Sequence, residues 1–249
     1  MPVLVIQNFD DTGLGQIGTA LALAGIEVEL CRAHHGDALP SREAGYQGLI
    51  VLGGGQDALD DAQSPYFPEL LALIRRFAEA ERSVLGVCLG SQLIARAFGG
   101  DNQLGVAQEF GWCEVSLTEA AAADPVFAGL PQCFPIFQWH DDTFSLPGGA
   151  VRLAASRQAE NQAFRLGRAV YGIQFHFEAD RPLIEAWSRT FAATIAGRHP
   201  DWTERLPQEA KRHGPQADAA GRRIAEAWIA TLAQTDRPAA ATAQPRAVA

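Results

Sequence analysis

The chain has 249 residues, 47% of them apolar and 20% charged, a globular balance with enough apolar side chain to bury a substantial core. Its formal net charge of -9 argues against a partner bound through a nucleic-acid backbone, which calls for a basic face. No apolar stretch approaches the roughly 20 residues of a membrane helix and the opening MPVLVIQNFDD has no basic leader, so no membrane partner is expected and a cytoplasmic location is.

Val3 to Gln7 is a short apolar, β-branched run that predicts a buried strand. A helix is predicted over Leu14 to Ala24, a strand near Glu27 to Cys31, and a buried strand over Gly48 to Leu52 that runs into Gly53, Gly54 and Gly55. Between Tyr66 and Glu81, Leu70, Leu71, Ile74 and Phe77 share one helical face. Ser83 to Cys88 reads as a strand and Ser91 to Phe98 as a helix stopped by Gly99 and Gly100. Alternation of strand and helix is the pattern of a parallel sheet covered on both faces.

The middle of the chain changes character. Trp112 to Leu117, Phe134 to Trp139, Val151 to Ala155, Gln162 to Leu166 and Ala169 to Phe175 are strand-like runs separated by turn residues, pointing to added antiparallel strands. A helix is predicted over Pro182 to Ala196, an irregular polar stretch over Asp201 to Gln216, and a helix over Ala219 to Ala233 with Ile224, Trp228 and Ile229 as its apolar stripe. The organisation expected is a main domain over 1–199, a helical extension over 200–236 and a disordered Ala/Pro-rich tail over 237–249.

The four cysteines, Cys31, Cys88, Cys113 and Cys133, share no CxxC spacing, so neither a zinc knuckle nor a redox pair is suggested. One of them has a special setting. In Gly86-Val87-Cys88-Leu89-Gly90 an apolar strand ends at Cys88, glycines flank it two residues away on both sides, and a helix follows. This is the spacing of a strand-to-helix nucleophile elbow. The sharp turn lifts the sulfur out of the sheet beside a helix N-terminus, which favours thiolate, and aims the Leu89 N–H at a developing oxyanion. The bland alternative is a packed cysteine at a strand end.

A thiolate nucleophile needs a base that also protonates the leaving group, and a group that orients the base. Tyr171-Gly172-Ile173-Gln174-Phe175-His176-Phe177-Glu178 is an apolar strand ending in His-x-Glu. If the extended conformation continues, His176 and Glu178 project to the same side, at the carboxyl edge where open α/β sheets bind ligands. His34, His35, His199 and His213 read as solvated side chains, and His140 equally as a residue at the edge of the site or as a capping or packing residue. A metal centre from His140, Asp141 and Asp142 lacks further ligands at useful spacing, so no metal and no cofactor is expected.

These residues resemble those of the class I glutamine amidotransferase family. Gly53-Gly54-Gly55 after a strand, Gly86-x-Cys88-x-Gly90-x-Gln92 and His176-x-Glu178 carry the resemblance across most of Val3 to Ala196. The segments Gly111-Trp112, Gln138-Trp139-His140-x-Asp142-Thr143-Phe144 and Asn161-Gln162-Ala163-Phe164 are similar to the amidotransferase domain of GMP synthases. The resemblance implies a flavodoxin-like three-layer sandwich with a mainly parallel central sheet. It also implies a Cys88–His176–Glu178 triad, an oxyanion hole from Leu89 with Gly54 or Gly55, and substrate contacts from Gln92, with His140 at the site edge. Two departures stand out: Gly55 and Phe177 occupy positions where many members have proline.

The implied reaction is glutamine hydrolysis through a γ-glutamyl thioester, and the expected partner is a small molecule, glutamine or a γ-glutamyl compound. Alternatives are a γ-glutamyl peptide or amine hydrolase, and an inactive binding protein on the same fold. The chain beyond Glu178 has no phosphate-cradling G-x-x-x-x-G-K-[ST] loop, so any synthetase or acceptor is expected to be a separate protein.

Overall fold

The computed structural model describes residues 1–232; the expectation of a disordered tail over 237–249 falls outside them. Strands β1 (Val3–Gln7), β2 (Val28–Arg32), β3 (Gly48–Val51), β4 (Ser83–Val87) and β11 (Val170–Ile173) form the parallel part of one nine-stranded sheet. Strands β6 (Glu109–Leu117), β7 (Cys133–His140), β9 (Val151–Ser156) and β10 (Ala163–Leu166) extend it as antiparallel neighbours. The order is β2-β1-β3-β4-β11-β10-β9-β6-β7, and β5 (Asn102–Gln103) pairs with β8 (Thr143–Phe144) in a separate two-stranded sheet. Layers of helix cover both faces, giving the flavodoxin-like sandwich.

Burial explains the composition of the parallel strands. Val3, Leu4, Val5 and Ile6 of β1 and Leu49, Ile50 and Val51 of β3 are fully buried, because alternate side chains enter different cores on the two faces. Val3, Val5, Ile50, Leu85 and Ile173 join one core, while Leu4, Ile6, Leu49, Val51 and Val84 join the other. Helices α2 (Phe67–Glu79) and α3 (Leu89–Ala97) close the second core, with Leu70, Ile74 and Phe77 inward as their spacing predicts. Helix α1 (Gly15–Leu23) contributes Ile17 and Leu21 to the first.

The C-terminal part differs from expectation in two places. The helix predicted over Pro182 to Ala196 is two helices, α4 (Arg181–Thr190) and α5 (Ala192–Arg198), broken at Phe191. The stretch expected to be irregular is the first half of one 31-residue helix, α6 (Trp202–Leu232), which contains Pro207 and Pro215. Each proline removes an intrahelical hydrogen bond, but tertiary packing overrides this. Trp202, Ala210, Ala217, Ile224 and Trp228 of α6 are buried in the core shared with α1, β7 and α4, and most of a helix's stability comes from such burial.

Candidate active site

The site is built at the carboxyl ends of β1, β3, β4 and β11. Cys88 occupies the single position between β4 and α3, with φ of 50° and ψ of -111°, a strained conformation for a residue with a Cβ. Its backbone is held on both sides. Its N–H donates to the Ile173 carbonyl (2.9 Å), and its own carbonyl accepts from the Ser91 N–H (2.9 Å) and the Ser91 hydroxyl (2.6 Å). The flanking glycines are required by close approach. A methyl on Gly90 would lie 2.0 Å from the Val51 carbonyl oxygen, and one on Gly86 would lie 2.4 Å from the Gly90 oxygen. Thus the backbones of β3, β4 and α3 meet at the elbow.

Strand β11 ends at Ile173, and the chain then bends instead of remaining extended through Glu178. His176 and Glu178 therefore meet across a turn. The His176 N–H donates to the Phe137 carbonyl (2.8 Å), tying the segment to β7. The His176 ring donates from Nδ1 to Glu178 Oε1 over 2.6 Å, and both side chains are buried. This commits the Nδ1 proton to Glu178 and leaves Nε2 as the ring nitrogen available to Cys88, whose Cβ lies beside the same Gly53. Burial by itself would lower the imidazole's pKa. The charges of Glu178 and Cys88 outweigh it and hold the pKa well above the ordinary 6.5. The edge of Trp187 packs on the ring at 5.2 Å between centroids.

The structure brings Cys88 and His176 together over Gly53. A methyl built on Gly53 would lie 3.4 Å from His176 Cε1 and 3.5 Å from Cys88 Cβ. The neighbouring loop supplies donors. No backbone carbonyl among the described residues accepts from the N–H of Gly54 or Gly55, and the N–H of Leu89 is the first of α3, outside the intrahelical ladder. Gly54 is packed so tightly against Leu89, Asn8 and Gln56 that a methyl would come 2.3 Å from Gln56 Oε1. Gly55 is different, since a methyl there would meet only the Phe9 ring at 3.7 Å.

Cys88 and His176 open onto a cavity of about 340 Å³, within the size range of small-molecule sites. Gly54, Gly55 and Gln92 line it beside them, and Phe9, Trp139, Trp187 and Phe191 form an aromatic wall. Gln92 is almost wholly buried and donates to Gln174 Oε1 (3.2 Å). His140 reaches the cavity with its ring pinned. Nδ1 donates to the Asp142 carbonyl (3.0 Å), and Nε2 lies 3.3 Å from Glu109 Oε2. That carboxylate oxygen also accepts from Gln162 (2.6 Å) and Ser156 (2.8 Å).

Sequence reasoning missed the aromatic wall, whose members come from three separate segments, and the buried Glu109–Gln162–Ser156 support of His140. It also missed what holds the His-x-Glu turn. The Gln16 N–H donates to the Glu178 carbonyl (2.8 Å) and the Gln16 side chain to the Phe177 carbonyl (3.1 Å), while Gly15 and Gly221 press against the same two carbonyls. The unusual glycines at the start of α1 and in the middle of α6 were the available signal.

The family pattern described as glutamine amidotransferase class-I matches residues 5–182, a span that contains the glycine loop, the cysteine elbow and the His-x-Glu turn. The chain belongs to this family. It is 34% identical over 157 residues to a glutamine amidotransferase-like protein of Salmonella typhimurium, covering 62% of this chain and 66% of that one. It is 30% identical over 182 residues to a glutamine-hydrolysing GMP synthase subunit of Methanospirillum hungatei, covering 72% of this chain and 87% of the relative. Against the GMP synthase of Thermomicrobium roseum the identity is 33%, but the match spans only 28% of that protein. Among solved structures, a glutamine amidotransferase of Thermotoga maritima superposes with a TM-score of 0.82 at 26% identity, over 92% of this chain and 98% of the other. One from Methylobacillus flagellatus gives 0.80 at 28% identity, over 92% and 94%. As an amidotransferase-family chain it keeps the cysteine elbow and the His-x-Glu turn, with its own Gly55 and Phe177. No helix among the described residues is long and apolar enough to cross a membrane.

Proposed function

We propose that the chain is a stand-alone glutaminase of the class I amidotransferase family that releases glutamate and ammonia. The observation that carries this reading is the buried Nδ1–Glu178 hydrogen bond of His176, whose ring meets the strained Cys88 elbow over Gly53. The Cys88 thiolate attacks the side-chain carbonyl carbon of glutamine, and the oxyanion collects the N–H groups of Leu89 and of Gly54 or Gly55. As the C–N bond breaks, the imidazolium of His176 gives its Nε2 proton to the leaving ammonia. Water then attacks the γ-glutamyl thioester and passes a proton to His176. The C–S bond breaks to release glutamate and restore the thiolate. Glu178 orients the ring and stabilises its charged form throughout. Gln92 and His140 border the substrate's far end.

A γ-glutamyl amine or peptide hydrolase uses the same thioester with a larger leaving group. The aromatic wall of Phe9, Trp139, Trp187 and Phe191 favours keeping this second reading, since it offers apolar surface beyond the amide. A panel of glutamine, glutathione and γ-glutamyl-aminobutyrate, with glutamate and ammonia measured, separates the two. Release of glutamate and ammonia from glutamine, lost in Cys88→Ala, supports the first reading. Turnover confined to the larger substrates supports the second, and no turnover of any supports an inactive binding protein. Transfer of the ammonia to a separate synthetase would extend the same chemistry, and cytoplasmic residence fits a consumer of free glutamine.

A further inference from the structure

Outside the cavity, one cluster of ligating side chains joins two segments that are far apart in the chain. Asp10 follows β1 and the adjacent His34 and His35 form the 3-10 turn Ala33–His35 after β2. One carboxylate oxygen, Asp10 Oδ1, lies 3.1 Å from His34 Nε2 and 2.9 Å from His35 Nε2, and the three potential ligand atoms all fall within 4.8 Å of one another. We propose that Asp10, His34 and His35 form a three-ligand site for a divalent transition-metal ion of the zinc class, at the end of β1 beside the wall of the catalytic cavity.

Three observations carry it. First, the spacing fits. Ligand atoms about 2.0–2.1 Å from a tetrahedral zinc ion stand about 3.3 Å apart; the two Asp10 separations need to open by only a few tenths of an ångström, and the two histidine nitrogens lie within 4.8 Å of each other. Second, His34 has the support typical of a metal-ligating histidine. Its Nδ1 donates to the Gln7 carbonyl (2.9 Å), which orients the ring so that Nε2 faces the Asp10 oxygen. The His34 side chain is only 12% exposed, so it does not behave as the solvated loop histidine expected from sequence. Third, the loop carrying Asp10 is held ready. Gln7 Nε2 donates to the Thr12 carbonyl (2.7 Å), the Thr12 hydroxyl donates to the Phe9 carbonyl (2.6 Å), and Trp187 Nε1 donates to the Asp11 carbonyl (2.9 Å).

Two neutral imidazoles and one carboxylate suit zinc over magnesium or calcium, which prefer all-oxygen shells. Asp10 and His35 remain open to solvent, so a fourth position is available to water. The consequence is positional. The ion fixes Asp10 between Phe9, which lines the cavity, and Asp11, which accepts from the Trp187 ring. The site is independent of which γ-glutamyl substrate is hydrolysed.

The test titrates the full chain with zinc chloride against a chromophoric chelator, and in parallel with cobalt chloride by visible spectroscopy. The expected result is one tight equivalent per chain and cobalt d–d bands with no thiolate charge-transfer band. Both are expected to be unchanged in Cys88→Ala, and affinity is expected to be at least tenfold weaker in His35→Ala and in Asp10→Asn. These two variants change exposed side chains, and their circular dichroism checks that they fold. No stoichiometric binding, equal affinity in both variants, or a thiolate band that places the ion on a cysteine would overturn the proposal.

Discussion

Gly221, in the middle of α6, lies directly against the carbonyl of Phe177, and a methyl group added to it would come 2.2 Å from that oxygen and 2.5 Å from Gln16 Nε2. Phe177 stands between His176 and Glu178, so the C-terminal helix touches the backbone of the turn that carries this buried pair. Arg181 Nε donates to Asp218 Oδ2 (2.6 Å) one turn before Gly221 and fastens α6 to the start of α4. The helix is therefore part of the wall behind the site.

Gly221→Ala is expected to destabilise the fold by about 1–3 kcal/mol, the range for forcing a methyl into a packed site, and to lower kcat for glutamine because the His-x-Glu turn must shift. Gly197→Ala is the control. Its added methyl would meet nothing within 4 Å, so stability should hold or rise by up to about 1 kcal/mol. Urea denaturation and steady-state kinetics on the two variants check this.

The elbow glycines and the glycine loop after β3 should respond differently from one another. Gly90→Ala places a methyl 2.0 Å from the Val51 carbonyl oxygen, a backbone clash that cannot be relieved by rotating a side chain. It is expected to unfold the chain or leave it without measurable activity. Gly55→Ala meets only the Phe9 ring at 3.7 Å and should keep the melting temperature within a few degrees. Thermal unfolding of both proteins decides.

Glu178→Gln keeps the shape of the buried partner and removes its charge. Hydrolysis is expected to fall about 10²–10⁴-fold, as when a triad loses the carboxylate that orients its histidine. The His176 pKa should fall in Glu178→Gln, and also in Cys88→Ala, since both residues raise it. In the wild-type protein the folded-state pKa lies above the unfolded value near 6.5. The stabilisation from protonated His176 is therefore complete below about pH 6.5 and fades as pH rises through the higher folded value. NMR titration of the His176 ring in the three proteins reads both effects.

Much of this arrangement was legible in the sequence, for identifiable reasons. The parallel strands are buried on both faces, so Val3–Ile6 and Leu49–Val51 are continuous apolar runs that cannot be read as surface. The Gly86–Cys88–Gly90 spacing records a three-backbone crossing, and the pairing of His176 with Glu178 was legible, although through continued extended chain and not through the turn that brings them together. What escaped had no local signature. Pro207 and Pro215 lie in the polar stretch expected to be irregular, yet α6 continues through them because Trp202, Ala217, Ile224 and Trp228 are buried against other elements. Phe9, Trp139, Trp187 and Phe191 look like separate core aromatics until the fold assembles them along one cavity. Asp10 and His34 lie 24 positions apart and meet only because β1 and β2 pair in parallel.

The proposed chemistry stands on Cys88 as the nucleophile and His176 as its acid–base partner. Burial pushes the Cys31 and Cys113 thiols each up to about 11, which suppresses their thiolates near neutral pH. Incubation with a glutamine-derived chloroketone, followed by intact-mass and peptide analysis, probes the pair directly. One adduct per chain is expected, located on Cys88, absent in Cys88→Ala and formed roughly a hundredfold or more slowly in His176→Ala. A folded wild-type protein that takes no label, or takes it equally on other cysteines, would show that Cys88 is not the nucleophile.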